Sequence, residues 1–296
     1  MSVKVLIAGG EGFLGRFMVE TFRRKGFGVS VFDKRLSEEM EGRQISSLYE
    51  VISRDRPDVI INLMALCGSG GKGGSANSLE RPYDFFRNNI LTALNVCEAA
   101  RQHDVKKVIQ MSSFSVYCKT SSVLTKDTIL SPTDPYGGSK ECAEIICRIY
   151  SVCYGMHTVV VRTPLIVGEN QEEKNAVNEF IELGKANKPV VIFGRGTHRR
   201  EWLHPLDVSE AFVKIVEYME TMKERFRIFV LGSEKNRISM NDLANKIITR
   251  TGGSVVHDHT KTNVFDQVAD SSEAYKLLGW KAKYGIDEIL DRILSG

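Results

Sequence analysis

The chain has 296 residues, of which 42% are hydrophobic and 26% charged, the balance of an ordinary globular protein with room for one large domain or two modest ones. Its formal net charge of +3 is spread along the sequence and gives no basis for a nucleic-acid or anionic-membrane partner. No apolar run approaches the roughly 20 residues of a membrane span, and six cysteines without zinc-type spacing read as reduced thiols, so a cytoplasmic location is expected.

Val3 to Ile7 is a short apolar run of the kind buried in parallel sheets. It ends in glycines within the first ten residues, so no signal peptide is expected. Gly9, Gly12 and Gly15 precede a helix that carries Phe13, Leu14, Phe17, Met18 and Phe22 at helical spacing; a second strand, Val29 to Phe32, then ends at Asp33. Glycines here let the backbone turn tightly and approach a pyrophosphate, at a helix N-terminus whose amides favour anions. An acidic residue at the end of the second strand is where a ribose diol is held. A glycine triplet alone says little. Between strand and helix, with Asp33 so placed, it points to a dinucleotide held by Gly9, Gly12, Phe13, Leu14, Gly15 and Asp33.

The alternation continues with "PDVIINLMA" (57–65, strand), residues 80–103 (helix), "KKVIQMSS" (106–113, strand), a helix from Tyr136 and "HTVVVRT" (157–163, strand). Helices between parallel strands imply an α/β fold, a doubly wound, Rossmann-like sheet covered on both faces. After about residue 164 the pattern is less regular, with helices expected near 173–186, 207–221 and 239–251. The expected division is a dinucleotide-binding domain over 1–164 and a smaller substrate-binding lobe over 165–296, some of whose segments return to the sheet.

In "SPTDPYGGSKECAEII" (131–146), Asp134 suits an N-cap and Pro135 the first helical position. Tyr136 and Lys140 are then i and i+4 on one helical face. A lone Y-x-x-x-K is usually an exposed pair, so the surrounding motifs must decide its meaning. Taken together they resemble the extended short-chain dehydrogenase/reductase family, the nucleotide-sugar epimerases and dehydratases. "AGGEGFLG" resembles that family's glycine turn, "NNILTALNVCEAAR" its helix bearing Asn89, and "MSSFSVY" the strand end bearing a catalytic hydroxyl, here Ser113. "PYGGSK" resembles its Tyr-x-x-x-Lys signature, "FGRGTHRREWLHPLDV" its substrate-lobe motif and "LLGWKAKYGIDEIL" its usual ending.

The resemblance implies Ser113, Tyr136 and Lys140 as catalytic residues. Asn89, Tyr136 and Lys140 would also contact the cofactor, while Ser113, Ser115 and Arg200 would contact a nucleotide sugar, Arg200 through its phosphates. It further implies a homodimer packed through the helices at 80–103 and 136–154. Hydride transfer from a sugar carbinol needs a base, and its reversal an acid. A tyrosine, with an ordinary pKa near 10, needs a depression of roughly three units, about 4 kcal/mol, to serve near neutrality. An ammonium about 4 Å away at an effective dielectric near 20 is expected to supply an interaction of that order.

Four features depart from the family pattern. Phe114 and Ser115 stand where its dehydratases carry an Asp-Glu pair, which argues against that chemistry. The stretch between Asp33 and "PDVIIN" is short, with "GRQI" where an adenine contact is usual. Leu165 replaces an asparagine after the strand carrying Arg162, as in some keto-sugar reductases. Lys34 and Arg35 would tolerate the 2′-phosphate that Asp33 repels. NAD is the expected cofactor, with Lys34 beside its ribose and NADP as the alternative.

"CGSGGKGGSANS" (67–78) lacks the Gly-Lys-Ser/Thr ending of a nucleoside-triphosphate loop; it reads either as a cover over the substrate or as a surface loop. "HDH" (257–259) has no further clustered ligand, so no metal is assigned. His204 and Asp207 read as anchors of the second lobe, and Cys118 as a packed thiol. The expected activity is nucleotide-sugar epimerisation through a transient ketone. A reductase of a nucleotide-linked 4-keto sugar and a non-catalytic NAD(P)-binding protein are the alternatives.

Overall fold

The computed structural model describes residues 2–33, 44–67, 74–117, 123–172, 175–260 and 265–295. In chain order these form β1 (Lys4–Ala8), α1 (Phe13–Arg24), β2 (Gly28–Phe32), α2 (Gln44–Asp55), β3 (Val59–Asn62), α3 (Gly74–Glu80), α4 (Pro82–Gln102), β4 (Lys107–Met111), α5 (Pro135–Tyr154) and β5 (His157–Arg162). There follow β6 (Leu165–Ile166), α6 (Ala176–Lys185), β7 (Pro189–Phe193), β8 (Arg199–Arg200), β9 (Trp202–Leu203), α7 (Pro205–Met219) and β10 (Phe226–Val230). The chain ends with β11 (Ile238–Ser239), α8 (Met240–Thr251), β12 (Ser254–Asp258), α9 (Ser272–Leu278) and α10 (Ile286–Ser295). Single 3-10 turns lie at Phe114–Val116 and Glu234–Asn236.

Six parallel strands form one sheet in the order β2-β1-β3-β4-β5-β10. Side chains alternate across a strand, and both faces are apolar, as a doubly covered sheet requires. Val5, Ile7, Ile61, Ile109 and Val159 pack beneath Met18 and Phe22 of α1 and Val208, Phe212 and Ile215 of α7. Leu6, Ile60, Val108 and Val160 face the other way, onto Leu48 and Ile52 of α2, Val96 and Ala100 of α4 and Cys147 of α5. The helix expected over 80–103 is α4, Pro82–Gln102, and a separate short helix precedes it. α3 stops at Glu80 and α4 begins at Pro82, where proline is favoured as a helix start and cannot continue a preceding ladder.

Beyond residue 164 the chain does two things. α7 and β10 belong to the large sheet's layers, β10 pairing with β5 from Phe226↔Thr158 to Val230↔Arg162. The remaining elements build a second apolar centre, in which Phe180, Leu243, Ile247, Ile289 and Leu290 surround the small parallel pair β7–β12 and Trp202. Among the described residues no helix is long and apolar enough to cross a membrane.

Asp207 and His204 tie these parts together. The Asp207 carboxylate accepts the Lys283 and Tyr284 N–H groups at 2.9 and 3.1 Å, and its carbonyl accepts the Trp280 indole N–H at 2.9 Å. His204 caps α7 by accepting the Leu206 N–H at 3.2 Å, with its other ring nitrogen 2.9 Å from Glu169. Burial pushes the Asp207 carboxyl up to about 6, against the pull of the two N–H groups. An aspartate raised in the folded state keeps its proton while the unfolded chain has already lost it, so its contribution is complete below about pH 4 and is lost as the pH rises through about 6. A carboxamide at this position would not titrate. The stability advantage of the wild type over Asp207→Asn should therefore shrink by about 2–3 kcal/mol between about pH 4 and pH 7. Thermal unfolding of both proteins across that range measures it, and a pH-independent difference would contradict the assignment.

Candidate active site

Chain direction decides where a site can form. β1 has β2 on one side and β3 on the other, so successive connections depart to opposite sides and open a crevice at the strands' carboxyl ends. The glycine turn lies there. Gly9 has φ +91°, and a Cβ on Gly15 would lie 2.1 Å from the Gly9 carbonyl oxygen, so α1 can approach the strand end only with glycine at 15. Gly12 is the N-cap of α1, with no side-chain cap and no acidic residue in the first turn, which leaves the helix start electropositive. Phe13 stacks edge-on against Phe17 at 5.8 Å and Leu14 packs on the core, so backbone is what this turn presents. Asp33, at the end of β2, is buried and accepts the Glu11 N–H at 3.0 Å, bracing the turn. Lys34 and Arg35 lie outside the described residues.

α5 brings the expected catalytic groups together. Asp134 caps it by accepting the Gly137 N–H at 2.9 Å, and Pro135 occupies its first position. A Cβ on Gly137 would sit 2.2 Å from the Ser115 carbonyl oxygen, so glycine at 137 is what lets the first turn rest on the 114–116 turn. Ser113 caps that short turn, accepting the Ser115 N–H at 3.1 Å, with the two hydroxyls 3.3 Å apart. Ser113 and Cys67 are side chains that act on the Tyr136 hydroxyl, the Ser113 hydroxyl lowering its pKa and the Cys67 thiol raising it. The Tyr136 ring meets Phe85 of α4 edge-on at 6.2 Å. Lys140 is buried, donates to the Met111 carbonyl at 3.2 Å and lies 5.9 Å from the centre of the Tyr136 ring.

Among the chain's own groups the electrostatics run against the depression of Tyr136 expected from Lys140. Burial is the largest influence and, with Cys67, holds the phenol well above its ordinary value; the Ser113 hydroxyl works the other way. The ammonium is spent on a backbone carbonyl, and burial lowers its own pKa. Desolvation outweighs a single neighbouring charge here.

Asn89, on α4, is buried and holds protein groups rather than standing open. Its side chain accepts the Leu66 N–H at 2.6 Å and donates to the Leu66 carbonyl at 3.2 Å and to Ser139 at 2.9 Å. It thereby fixes the segment after β3 against α5. Of the glycine-rich stretch, Asn77 and Ser78 are buried within α3, while residues 68–73 lie outside the described residues, as does Cys118. Phe114 packs with Val116, Tyr117 and Leu124 in a small core. Leu165 is exposed in β6. His257 and His259 stack at 6.1 Å, and no group of three metal-ligating side chains occurs among the described residues.

Arg200 stands apart. It lies in β8, donates to the carbonyls of Phe265 and Arg199, and rests over the Phe265 ring at 5.2 Å; burial brings its pKa down to about 10. Among the described residues it shares no hydrogen bond with Ser113, Tyr136 or Lys140.

Sequence reasoning missed Cys67, Gly137 and a buried ion pair. Glu144 accepts from the Arg162 guanidinium at 3.0, 3.2 and 2.7 Å and from the Ser112 hydroxyl at 2.5 Å. Arg162 also donates to the Tyr117 hydroxyl and the Lys126 carbonyl, both at 3.2 Å. One signal was available, since Glu144 follows Lys140 by four residues on the same helical face.

The sequence profile of the NAD dependent epimerase/dehydratase family matches residues 5–232. The UDP-glucuronate 4-epimerase of Thermodesulfobacterium geofontis is 28% identical over 79% of this chain and 72% of that protein. The structure of UDP-glucose 4-epimerase from Thermotoga maritima with UDP-glucose superposes with a TM-score of 0.85 at 25% identity, covering 99% of this chain and 98% of the other. That of UDP-glucose 4-epimerase from Brucella ovis with NAD has a TM-score of 0.88 at 21% identity, again over 99% and 98%, a likeness of fold. With more than two hundred consecutive residues matched from β1 past β10, this chain belongs to the NAD dependent epimerase/dehydratase family.

Proposed function

We propose that the chain is an NAD-dependent nucleotide-sugar epimerase, which oxidises one sugar hydroxyl to a transient ketone and reduces it again on the opposite face. The observation that carries this reading is the junction of Tyr136, Ser113 and Lys140 at the carboxyl end of β4, which β3 separates from β1 and its glycine turn. The named relatives and the UDP-glucose complex of the Thermotoga protein support the substrate class.

The residues fit the dinucleotide. Gly9, Gly12 and Gly15 form a tight turn that brings the Phe13 and Leu14 amides at the start of α1 up to the strand end, a packing that a Cβ at 15 would block, and Asp33 follows β2 where a ribose diol would lie. NAD, when bound, supplies the hydride acceptor and donor and a positive charge in its oxidised form. Tyr136 would take the hydroxyl proton and later return it. Ser113 would hold the reacting oxygen in line with the phenol, and Ser115, 3.3 Å from Ser113, would extend that contact along the sugar. Lys140 would stabilise the ionised phenol and reach the nicotinamide ribose. Asn89 would act by holding the crevice wall at Leu66. Arg200 would grip the nucleotide phosphates from the smaller lobe, whose own apolar centre makes it a separate body of packing.

Incubation with NAD and a panel of UDP-, GDP-, dTDP- and CDP-sugars, read by NMR of the products, tests the reading. One sugar should reach an epimer equilibrium with no net NADH formed. Stoichiometric consumption of NADH with a keto-sugar would instead identify a reductase. Tyr136→Phe keeps the ring's packing and removes the titrating hydroxyl. It should retain the fold and NAD binding and lose turnover by more than about a hundredfold; a loss below about tenfold would remove Tyr136 from the mechanism.

We also propose a homodimer through α4 and α5. Leu91, Leu94, Ile145, Ile149 and Val152 are exposed large apolar side chains on these two helices, although each helix already covers the sheet with another face. A second apolar stripe calls for a partner. Sedimentation at micromolar concentration should show a dimer that Ile149→Glu weakens by about tenfold or more. Monomer alone in the wild type would refute it.

A further inference from the structure

Three charged side chains are buried together where α5 meets the ends of β4 and β5. Lys140, Glu144 and Arg162 are 3%, 5% and 2% exposed, two cations and one anion. A buried charge persists only when paired and hydrogen-bonded. Glu144 is one helical turn after Lys140 on the same face and is fixed by three hydrogen bonds from Arg162.

We infer that Glu144, held by Arg162, is a positioning residue for the reaction at Tyr136: its carboxylate is the counter-charge of the buried Lys140 ammonium, and its bond to Ser112 fixes the end of β4 against α5. The inference rests on the epimerase reading for the reaction itself.

Among the described groups that act on Lys140, Glu144 is the one carboxylate, and Arg162 and Ser112 hold it in place. From the lysine's own helix come Tyr136 and Glu144, and from the segment after β3 the Cys67 thiol. β4 contributes the Met111 carbonyl. β5 contributes Arg162, which reaches the cluster through Glu144 and carries the Tyr117 hydroxyl on its other side. Burial works to strip the proton from Lys140, and Cys67 and then Glu144 work to keep it. Without Glu144 a guanidinium and an ammonium would share one dry pocket.

The second half of the role is geometric. Lys140 grips the Met111 carbonyl at 3.2 Å and Glu144 the Ser112 hydroxyl at 2.5 Å. Two successive turns of α5 thus hold two successive residues of the strand end, and the next residue is Ser113. A slip between α5 and β4 would separate Ser113 from Tyr136.

Glu144→Gln and Ser112→Ala separate the two halves. Glutamine keeps the shape and an oxygen for Ser112 but removes the charge. Lys140 should then lose its proton at lower pH, so the alkaline limb of the kcat profile should move down by about one unit or more. Turnover should fall roughly ten- to a hundredfold, with KM changed less than about threefold. Ser112→Ala keeps the charge and should lower kcat without moving that limb. Nitrogen-15 NMR of the lysine ammonium groups, with Lys140→Arg to assign the signal, reads the proton directly and needs no substrate. In the wild type, Lys140 should remain an ammonium through about pH 8. An unmoved limb and Lys140 titration in Glu144→Gln, or a wild-type Lys140 already neutral near about pH 7, would overturn the inference. A protein that turns over no nucleotide sugar yet shows the Lys140 shift would sink the epimerase reading and leave the counter-charge standing.

Discussion

Every group assigned a role hangs from one constraint, the requirement that parallel strands end at a common edge. Hydrogen bonding in register from β2 across to β10 aligns the carboxyl ends of six strands. Gly9 follows β1, Asp33 follows β2, Leu66 and Cys67 follow β3, Ser113 follows β4 and Arg162 ends β5. Their separation in sequence is large and their separation in space is set by the spacing of the strands, roughly 5 Å each. The crevice is a consequence of the sheet's winding, and the residues within it need only be correct at the strand ends.

Placement alone does not make a phenol acidic. The site is dry because α4 and α5 close over it, and dryness favours neutral forms of both Tyr136 and Lys140. Chemistry near neutrality therefore depends on fixed opposite charges arranged against that tendency. Glu144 supplies one next to Lys140, and the positive charge carried by an oxidised nicotinamide supplies another when the dinucleotide is bound. The burial that strengthens each of these interactions is the same burial that raises the phenol, so the balance is set by a few distances within one helical turn.

The contacts that hold the site are mostly backbone-directed. Asn89 bonds the Leu66 peptide, Lys140 the Met111 carbonyl, Asp33 the Glu11 amide and Asp207 the Lys283 and Tyr284 amides. A side chain that fixes a peptide group constrains the chain itself, which gives loops at a strand end the definition that regular ladders give within the sheet. The smaller lobe is joined in the same manner. Its anchor at Asp207 lies at the start of α7, a helix whose other residues pack under the large sheet.

Much of this was legible in residue order. The strand–glycine–helix–strand opening, the alternation through β5, the start of α5 at Asp134–Pro135 and the i, i+4 pairing of Tyr136 with Lys140 are local patterns, and local sterics and hydrogen bonding decide them. The resemblance of several motifs in order pointed to Ser113, which no local rule singles out. Three things depended on tertiary structure. Gly137 is needed because of what α5 rests on, Cys67 meets Tyr136 across a strand-end crossing, and Arg162 finds Glu144 eighteen residues away across β5 and α5. The direction in which burial moves Tyr136 was not legible in the sequence for the same reason. A charge four residues away can be read from the chain, but the desolvation that opposes it belongs to the packed assembly of α4, α5 and the sheet, and exists only once they have closed.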